Sequence, residues 1–230
     1  MTGRPLLAHR RVVLAVASVA FAAMAILGVR YSGMRGPGHF DHAIDSRIQW
    51  DFANHPTLRQ HVINLSTPGN AVAICALLCV LFLLTRRRRL AALSIAGPAV
   101  SVVLVDVVLK PLFDRRLAGA LSYPSGHTAA AASIALVVVV AMIGPSRPPW
   151  PAAVRYCVAA LAVVAPGMVA AALIADGYHY ATDTIGGLLV AVASVLGAAL
   201  SIDALAGGPR SAGQEQSVSP DDAELPRVKA

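Results

Sequence analysis

The chain has 230 residues, of which 57% are hydrophobic and only 13% are charged. This composition is too apolar for a soluble domain and predicts an integral membrane protein. The formal net charge is +7, which would suit a nucleic-acid-binding protein. However, four consecutive arginines, Arg86–Arg89, separate two apolar runs, and the other cations are scattered. That distribution is typical of cytoplasmic loops rather than of a groove for a phosphate backbone, so we expect no nucleic-acid partner.

Six apolar runs are candidate membrane spans, because a helix needs about 20 mostly apolar residues to cross the hydrocarbon core. They cover residues 12–29, 68–85, 90–109, 128–144, 156–174 and 184–206. The sequence therefore predicts an all-α, polytopic membrane helical bundle with six transmembrane helices, in one domain over residues 1–206. Residues 207–230 are polar and have too little apolar surface to fold alone, which predicts a disordered cytoplasmic tail.

The first apolar run, Val12 to Val29, follows three arginines and could also belong to a cleaved signal peptide. Its length exceeds the usual signal core of about 7–15 residues, which favours an uncleaved span over cleavage.

The longest loop, residues 30–67, has Ile44 and Trp50 among charged residues. This pattern predicts a short helix at the membrane interface, with Trp50 at headgroup level. His55 and His61 are conceivable metal ligands, but their spacing fits no metal motif, and we favour solvated loop histidines. No metal site and no cofactor are predicted.

Two polar stretches lie where apolar runs begin. Tyr123-Pro-Ser-Gly-His-Thr128 predicts a tight loop before the fourth run, and His179-Tyr-Ala-Thr-Asp183 precedes the sixth. Side chains four residues apart share one helix face, so Asp183 can hold His179. Two histidines, a serine and a carboxylate at two helix mouths suggest an active site.

Topology places the two stretches together. Alternate loops of a six-span chain lie on opposite sides, so residues 30–67, 110–127 and 175–183 share one face. The other face has both termini and 12 of the 19 Lys and Arg residues, which predicts that it is cytoplasmic. We therefore expect the site on the extracytoplasmic face of a cell membrane, with the bilayer as a partner.

A phosphoryl group spreads negative charge over its oxygens, so the enzymes that transfer it rely on cations and N–H donors. The loop after the third run supplies three cations: Lys110, Arg115 and Arg116. The turn at Ser125 and Gly126 supplies backbone donors at a helix amino terminus, where the dipole also favours an anion. Gly126 lets the backbone approach the anion closely.

The two histidines suit different roles. The carboxylate of Asp183 can fix the tautomer of His179 and stabilise its imidazolium, which makes His179 the better nucleophile. His127 has no such partner in sequence and suits the general acid that protonates the leaving alkoxide. No carboxylate cluster for magnesium is visible, so the cations would replace the metal. These residues predict a lipid phosphate as the substrate.

Asp106 lies inside the third run, one turn before Lys110. An ionisable group in a span is a functional candidate by default, whereas an i, i+4 ion pair with Lys110 is the local alternative. The two interpretations are compatible.

The motifs Pro124-Ser-Gly-His127 and His179-x3-Asp183 resemble the type 2 phosphatidic acid phosphatase superfamily, which includes lipid phosphate phosphatases and shares its site with vanadium haloperoxidases. The family pattern has three blocks: Lys-x6-Arg-Pro, Pro-Ser-Gly-His, and Ser-Arg-x5-His-x3-Asp. The resemblance covers residues from about 68 to 200. It implies a phosphohistidine on His179 oriented by Asp183, with His127 as the acid. It also implies three phosphate-binding residues: Lys110, Ser125 and Gly126.

Both arginines of the pattern are missing from their places. Leu117 and Ala118 stand where the first block has Arg-Pro, and Ala172 and Leu173 stand where the third block has Ser-Arg. Three explanations are open: the neighbouring arginines compensate, the substrate differs, or the chain is a weakened relative that binds or transports lipid phosphates. We expect Arg115 and Arg116 to compensate, with Arg115 facing phosphate.

One rival function is an intramembrane serine protease built on Ser125 and His179, but it gives no role to His127, Lys110 or Asp183. The sequence does not distinguish phosphatidic acid, phosphatidylglycerol phosphate and polyprenyl phosphates or diphosphates as substrates, nor does it indicate an oligomeric state. Arginine greatly outnumbers lysine and alanine is abundant, which suggests a bacterial source.

Overall fold

A computed structural model describes residues 5–206, which form eight helices and one short hairpin. The helices are α1 (Arg10–Tyr31), α2 (His39–Phe52), α3 (Pro56–Leu65), α4 (Pro68–Leu84), α5 (Arg88–Phe113), α6 (Gly126–Ile143), α7 (Ala152–Ala175) and α8 (Ala181–Ala206). Strands β1 (Arg116–Leu117) and β2 (Ala120–Leu121) pair antiparallel. The predicted all-α membrane bundle is confirmed; the predicted tail, residues 207–230, lies outside the described residues.

Five helices within residues 5–206 are long and apolar enough to cross a membrane: α1, α5, α6, α7 and α8. Helix α4 has 17 residues and qualifies only together with α3, from which it is bent by 55°. Counting that bent pair as one span gives six spans, the number predicted.

Helix α8 lies at the centre of the bundle and packs against α1, α5 and α6, while α6 also packs against α5 and α7. The spans are apolar on their outer faces as well as their inner faces, as a lipid environment requires. Val12 and Leu84, for example, are exposed on the outside of the bundle.

The loop predicted to contain one short interfacial helix instead forms two helices, α2 and α3. Helix α2 packs against α7 and α8, and α3 packs against α7. Trp50 is exposed, but Asp41 and Asp45 on the opposite side of α2 are buried. The sequence prediction was incomplete because it treated the charged residues of this segment as solvated.

Helix α5 contains a wide turn of π-helix over Leu104–Leu109, just before Lys110. Such turns shift the face on which the following side chains lie and often occur near functional sites. Here the turn immediately precedes the loop that carries the predicted cations.

The end of the bundle opposite these loops is closed by the segment before α1. Leu6 is fully buried, and its N–H donates to both carboxylate oxygens of Asp203 near the end of α8 at 2.9 Å. Leu7 N–H donates to Asp203 Oδ2 at 3.1 Å, and Arg89 pairs with Asp203 Oδ1 at 3.0 Å. One carboxylate thus ties α8 to two other segments.

Candidate active site

Ser125 caps helix α6, which explains why the helix begins at this point. Its hydroxyl oxygen accepts hydrogen bonds from Thr128 N at 3.3 Å and from Thr128 Oγ1 at 3.1 Å. The N–H groups of Gly126 and His127 are in the first turn, where no helical carbonyl precedes them. These two groups are the ones that α6 can offer to an anion.

The amino termini of α6 and α8 are in direct contact. Ser125 N donates to the carbonyl of Asp183 at 2.9 Å. A Cβ at Gly187 would lie 2.5 Å from Ser125 O, so the close approach requires glycine at this position. This contact brings His127 within electrostatic range of His179, as topology predicted.

His179 and Asp183 are adjacent, with Nδ1 3.7 Å from Asp183 Oδ2. That separation is longer than a hydrogen bond. Asp183 Oδ2 accepts instead from Tyr180 N at 3.0 Å, and within residues 5–206 His179 Nδ1 has no hydrogen-bond partner. Catalytic hydrogen bonds are often long in a ligand-free site and tighten when substrate binds.

Lys110 and Asp106 form the ion pair that their spacing predicts, with Nζ 2.7 Å from Oδ1. A Cβ at Gly126 would lie 3.4 Å from Asp106 Oδ1 and 3.7 Å from Lys110 Nζ. The lysine therefore sits directly above the first turn of α6. His127 is within electrostatic range of both charges.

Arg115 does not have the phosphate-facing orientation predicted for it. The side chain is fully buried, and its Nη1 donates to Asp183 Oδ1 and to Thr182 Oγ1, each at 2.6 Å. Its Nη2 donates to Asp41 Oδ2, also at 2.6 Å. Both terminal nitrogens are thus held by α2 and α8.

The guanidinium of Arg115 also lies between two aromatic rings. Its central carbon is 4.6 Å from the ring centroid of Tyr31 at the end of α1 and 4.6 Å from that of Tyr180 before α8. Cations are attracted to the faces of aromatic rings. Arg115 therefore joins α1, α2 and α8 at one buried point.

Helix α2 holds the first turn of α8 with two carboxylates that are four residues apart. Asp41 Oδ1 accepts from Thr182 N at 2.9 Å and from Thr182 Oγ1 at 2.7 Å. Asp45 Oδ1 accepts from Ala181 N at 2.9 Å. Amide groups at a helix amino terminus have no partner within the helix, so these carboxylates satisfy them.

The two carboxylates of α2 differ in acidity. Burial alone would raise the pKa of Asp41, but hydrogen bonds from Thr182, Arg115 and Gly38 lower it below its ordinary value.

Burial, together with the negative charges of Asp41 and Asp183, raises the pKa of Asp45 to about 6, while the hydrogen bond from Ala181 N and the charge of Arg115 act in the opposite direction. Asp45 is therefore the group of this cluster that changes its charge near pH 6.

Arg116 lies apart from this cluster. Its Nε pairs with Asp114 Oδ1 at 2.8 Å, and its Nη1 donates to Gly119 O at 3.2 Å. The side chain is partly exposed.

The residues that stand where the family pattern has arginines lie in other surroundings. Ala172 and Leu173 are almost fully buried and pack in an apolar cluster with Ile63 of α3. Leu117 lies in β1. Helix α3 thus covers the place on α7 where the pattern expects a cation.

A cavity of about 410 Å³ extends from the polar residues along the bundle. One end is formed by Lys110, Asp106, Gly126 and His127, and the walls are apolar side chains of α4, α5 and α6. A long apolar chain can lie in such a cavity with its polar end beside the histidine.

Comparison with known proteins decides the family resemblance. Residues 110–205 match the model of the PAP2 superfamily. The matched PAP2 region begins at Lys110 and includes both motifs, Pro124-Ser-Gly-His127 and His179-x3-Asp183, so the resemblance predicted from the motifs is confirmed. No curated protein matches the chain significantly.

The fold is similar to that of a crystal structure described as the first transmembrane PAP2 type phosphatidylglycerolphosphate phosphatase from Bacillus subtilis. The TM-score is 0.63 at 17% sequence identity, and the match covers 79% of this chain and 93% of that chain. At this identity the similarity establishes a shared membrane fold.

Asp41 and Asp45 lie outside the PAP2 region, and sequence reasoning did not select them. The only signal was their i, i+4 spacing, which puts two carboxylates on one helix face. Thr182 was passed over because it stands between the two residues of the His179-x3-Asp183 motif. Helix boundaries alone could not show that α2 folds back over this motif.

Proposed function

We propose that the protein is an integral-membrane lipid phosphate phosphatase that hydrolyses a phosphomonoester or diphosphate through a phosphohistidine. The PAP2 match and fold support a phosphatase in general. One observation carries the more specific proposal: the general-acid candidate His127 and the cation Lys110 lie at the polar end of a long apolar cavity. A substrate with a phosphate head and a hydrocarbon tail would place its head beside these two residues and its tail along the apolar walls.

In the proposed reaction, His179 Nε2 attacks phosphorus and the bond to the lipid oxygen breaks. His127 donates its proton to that oxygen, so the lipid alcohol leaves neutral. Water then attacks the phosphohistidine, His127 accepts a proton from the water, and inorganic phosphate is released. Lys110 and the first-turn N–H groups of α6 stabilise the phosphoryl oxygens as charge develops.

We propose that these cations and N–H donors act without a metal ion. Within residues 5–206, no group of three or more His, Cys, Asp or Glu side chains is arranged to hold one. A chelator is therefore expected to leave the activity unchanged, and strong inhibition would contradict this part of the proposal.

We also propose that the site lies on the extracytoplasmic side of the cell membrane. The end of the bundle opposite the site carries the turn at Arg86–Arg89 and Arg147, which the positive-inside rule assigns to the cytoplasm. A substrate can then reach the site from the outer leaflet.

The deciding experiment is phosphate release from a short-chain lipid phosphate by the purified protein in detergent, with and without orthovanadate. We expect release that orthovanadate blocks and that His179→Ala abolishes, together with an acid-labile phosphoenzyme in the parent. His61→Ala is the matched control, since His61 is exposed on α3. A parent that binds the lipid but releases no phosphate would favour a binding or transport function.

The serine protease alternative receives no comparable support. The Ser125 hydroxyl is buried and accepts two hydrogen bonds from Thr128. Among the described residues no histidine hydrogen-bonds to it, whereas a nucleophilic serine needs an adjacent base.

A further inference from the structure

We infer that Asp41 of helix α2 is a positioning residue that acts through Arg115 on Asp183, holding its orientation and dividing the attraction of the guanidinium. This inference rests on the proposed function and extends it to a segment outside the PAP2 region. Arg115 makes the connection, because it donates one hydrogen bond to Asp41 and another to Asp183.

The first step of the argument is charge balance. Arg115, Asp41 and Asp183 are all fully buried, so water does not screen their charges. With one carboxylate on each terminal nitrogen, the guanidinium divides its attraction between Asp41 and Asp183. Without the charge of Asp41, Arg115 would act on Asp183 alone and leave that carboxylate less able to stabilise a positive charge on His179.

The second step is geometry. Asp41 also binds the amide and the hydroxyl of Thr182, the residue that precedes Asp183. The same side chain therefore fixes the backbone from which Asp183 projects. Since Asp183 Oδ2 is 3.7 Å from His179 Nδ1, a small shift of this turn decides whether the two groups can form a hydrogen bond.

The third step concerns which part of the chain supplies the contacting residues. Asp45 binds Ala181 N, and Tyr31 stacks on Arg115. Asp41 and Asp45 thus bind the first turn of α8, and Tyr31 packs on the arginine that bonds to it. All of these contacts converge on the turn from which Asp183 projects.

The test compares Asp41→Asn with Asp51→Asn, which removes the same charge from the same helix at an exposed position paired with the exposed Arg47. Phosphate release is measured against pH for both. For Asp41→Asn we expect kcat to fall by about tenfold or more while KM changes by less than about twofold.

We also expect the acidic limb of its kcat profile to move to lower pH, because Asp183 then stabilises positive charge in the site less. A purely structural effect would lower the amount of active protein without moving that limb. Normal kcat with an unmoved limb, or Asp51→Asn giving the same shift, would overturn the inference.

A second pair of variants covers the case in which Asp41→Asn does not fold. Thr182→Ser keeps the hydroxyl that bridges Asp41 and Arg115, whereas Thr182→Val removes it at nearly the same volume. We expect Thr182→Ser to keep kcat within about threefold of the parent and Thr182→Val to lose clearly more. Equal kcat for the two variants would count against the inference.

Amide hydrogen exchange separates this inference from the proposed function. If the parent released no phosphate, the proposed function would fail. The rate of amide exchange in the first turn of α8 would still show whether contacts from α2 stabilise that turn. We expect faster exchange there in Asp41→Asn than in Asp51→Asn. Unchanged exchange would contradict the inference whatever the activity of the parent.

Discussion

Arg115 and Asp183 form a fully buried ion pair, with Nη1 of the arginine 2.6 Å from Oδ1 of the aspartate. The arginine that the sequence suggests for phosphate binding is thus held by Asp183, the carboxylate proposed to orient the nucleophile. We therefore expect the charge of Arg115 to influence the proposed reaction through Asp183 rather than by touching the substrate.

The two neighbouring arginines should therefore behave differently when replaced. Arg115→Ala leaves the carboxylates of Asp41 and Asp183 buried without their counter-ion, which typically costs about 3–5 kcal/mol. We expect that variant to lose folded protein and activity together. Arg116→Ala removes a partly exposed pair with Asp114, so it should change stability by less than about 1 kcal/mol.

The measurement is melting temperature in detergent and kcat/KM for both variants. If Arg116→Ala lowered kcat/KM while its melting temperature stayed normal, Arg116 would supply the phosphate-facing charge. The sequence led us to expect that charge from Arg115 or Arg116.

His127 should matter most when the leaving group is poor. A general acid contributes about 10²–10⁴-fold to a step that needs protonation, and an alkyl alkoxide needs it more than an aryl oxide. We expect His127→Ala to slow release from an alkyl phosphate much more than from an aryl phosphate. Equal losses for the two substrates would contradict the role of His127 as the acid.

The apolar cavity should control which substrates are used. Ala99 lines the cavity, and Ala99→Phe would fill space that a hydrocarbon tail needs. Losing contact with two methylenes at about 0.8 kcal/mol each corresponds to about tenfold in kcat/KM. We expect that loss for a long-chain lipid phosphate and none for a small aryl phosphate. Val100→Phe, next in sequence and exposed, is the control and should spare both substrates.

Asp45 should make stability depend on pH. Its pKa in the folded protein is about 6, against an ordinary value of 3.8, so the folded state holds a proton that the unfolded chain has lost between these values. The parent should therefore lose stability as pH rises from about 4 to about 6.

Asp45→Asn still offers an oxygen to Ala181 N and should lack that loss, so it should melt at or above the parent temperature at pH 7. Asp41 does not interfere in this window, because its pKa is lowered below the ordinary value. A parallel decline in the melting temperatures of parent and variant from pH 4 to pH 6 would contradict the assignment to Asp45.

Sidedness can be tested with reporters. A reporter that works only in the cytoplasm should be active when fused after Ala230, and one that works only after export should be inactive there. The opposite result would place the site on the cytoplasmic side and would remove the argument for access from the outer leaflet.

The sequence predicted the membrane bundle because runs of about 20 apolar residues have few other uses. It also predicted that Lys110, His127 and His179 would meet. Two spans separate the loop of Lys110 and His127 from the loop of His179, so both loops lie at the same end of the bundle. It could not predict the partners of Arg115. Those partners come from α2, and a buried carboxylate looks the same in sequence as a solvated one.

The short length of α4 could not be predicted from the sequence either. Hydropathy continues across residues 68–85, but the bend of 55° between α3 and α4 depends on how α3 packs on α7. The same packing puts Leu173 against Ile63, which accounts for an apolar residue where the family pattern has an arginine.

The contact between Leu6 and Asp203 has a consequence for biogenesis. The two residues are 197 positions apart, so Leu6 leaves the ribosome long before its partner is made. Until α8 is inserted, the N–H of Leu6 and the charge of Arg89 lack the carboxylate that they share. The same helix carries Asp183 at its other end. Insertion of α8 therefore supplies the partner of Leu6 and brings Asp183 to the candidate site in a single event.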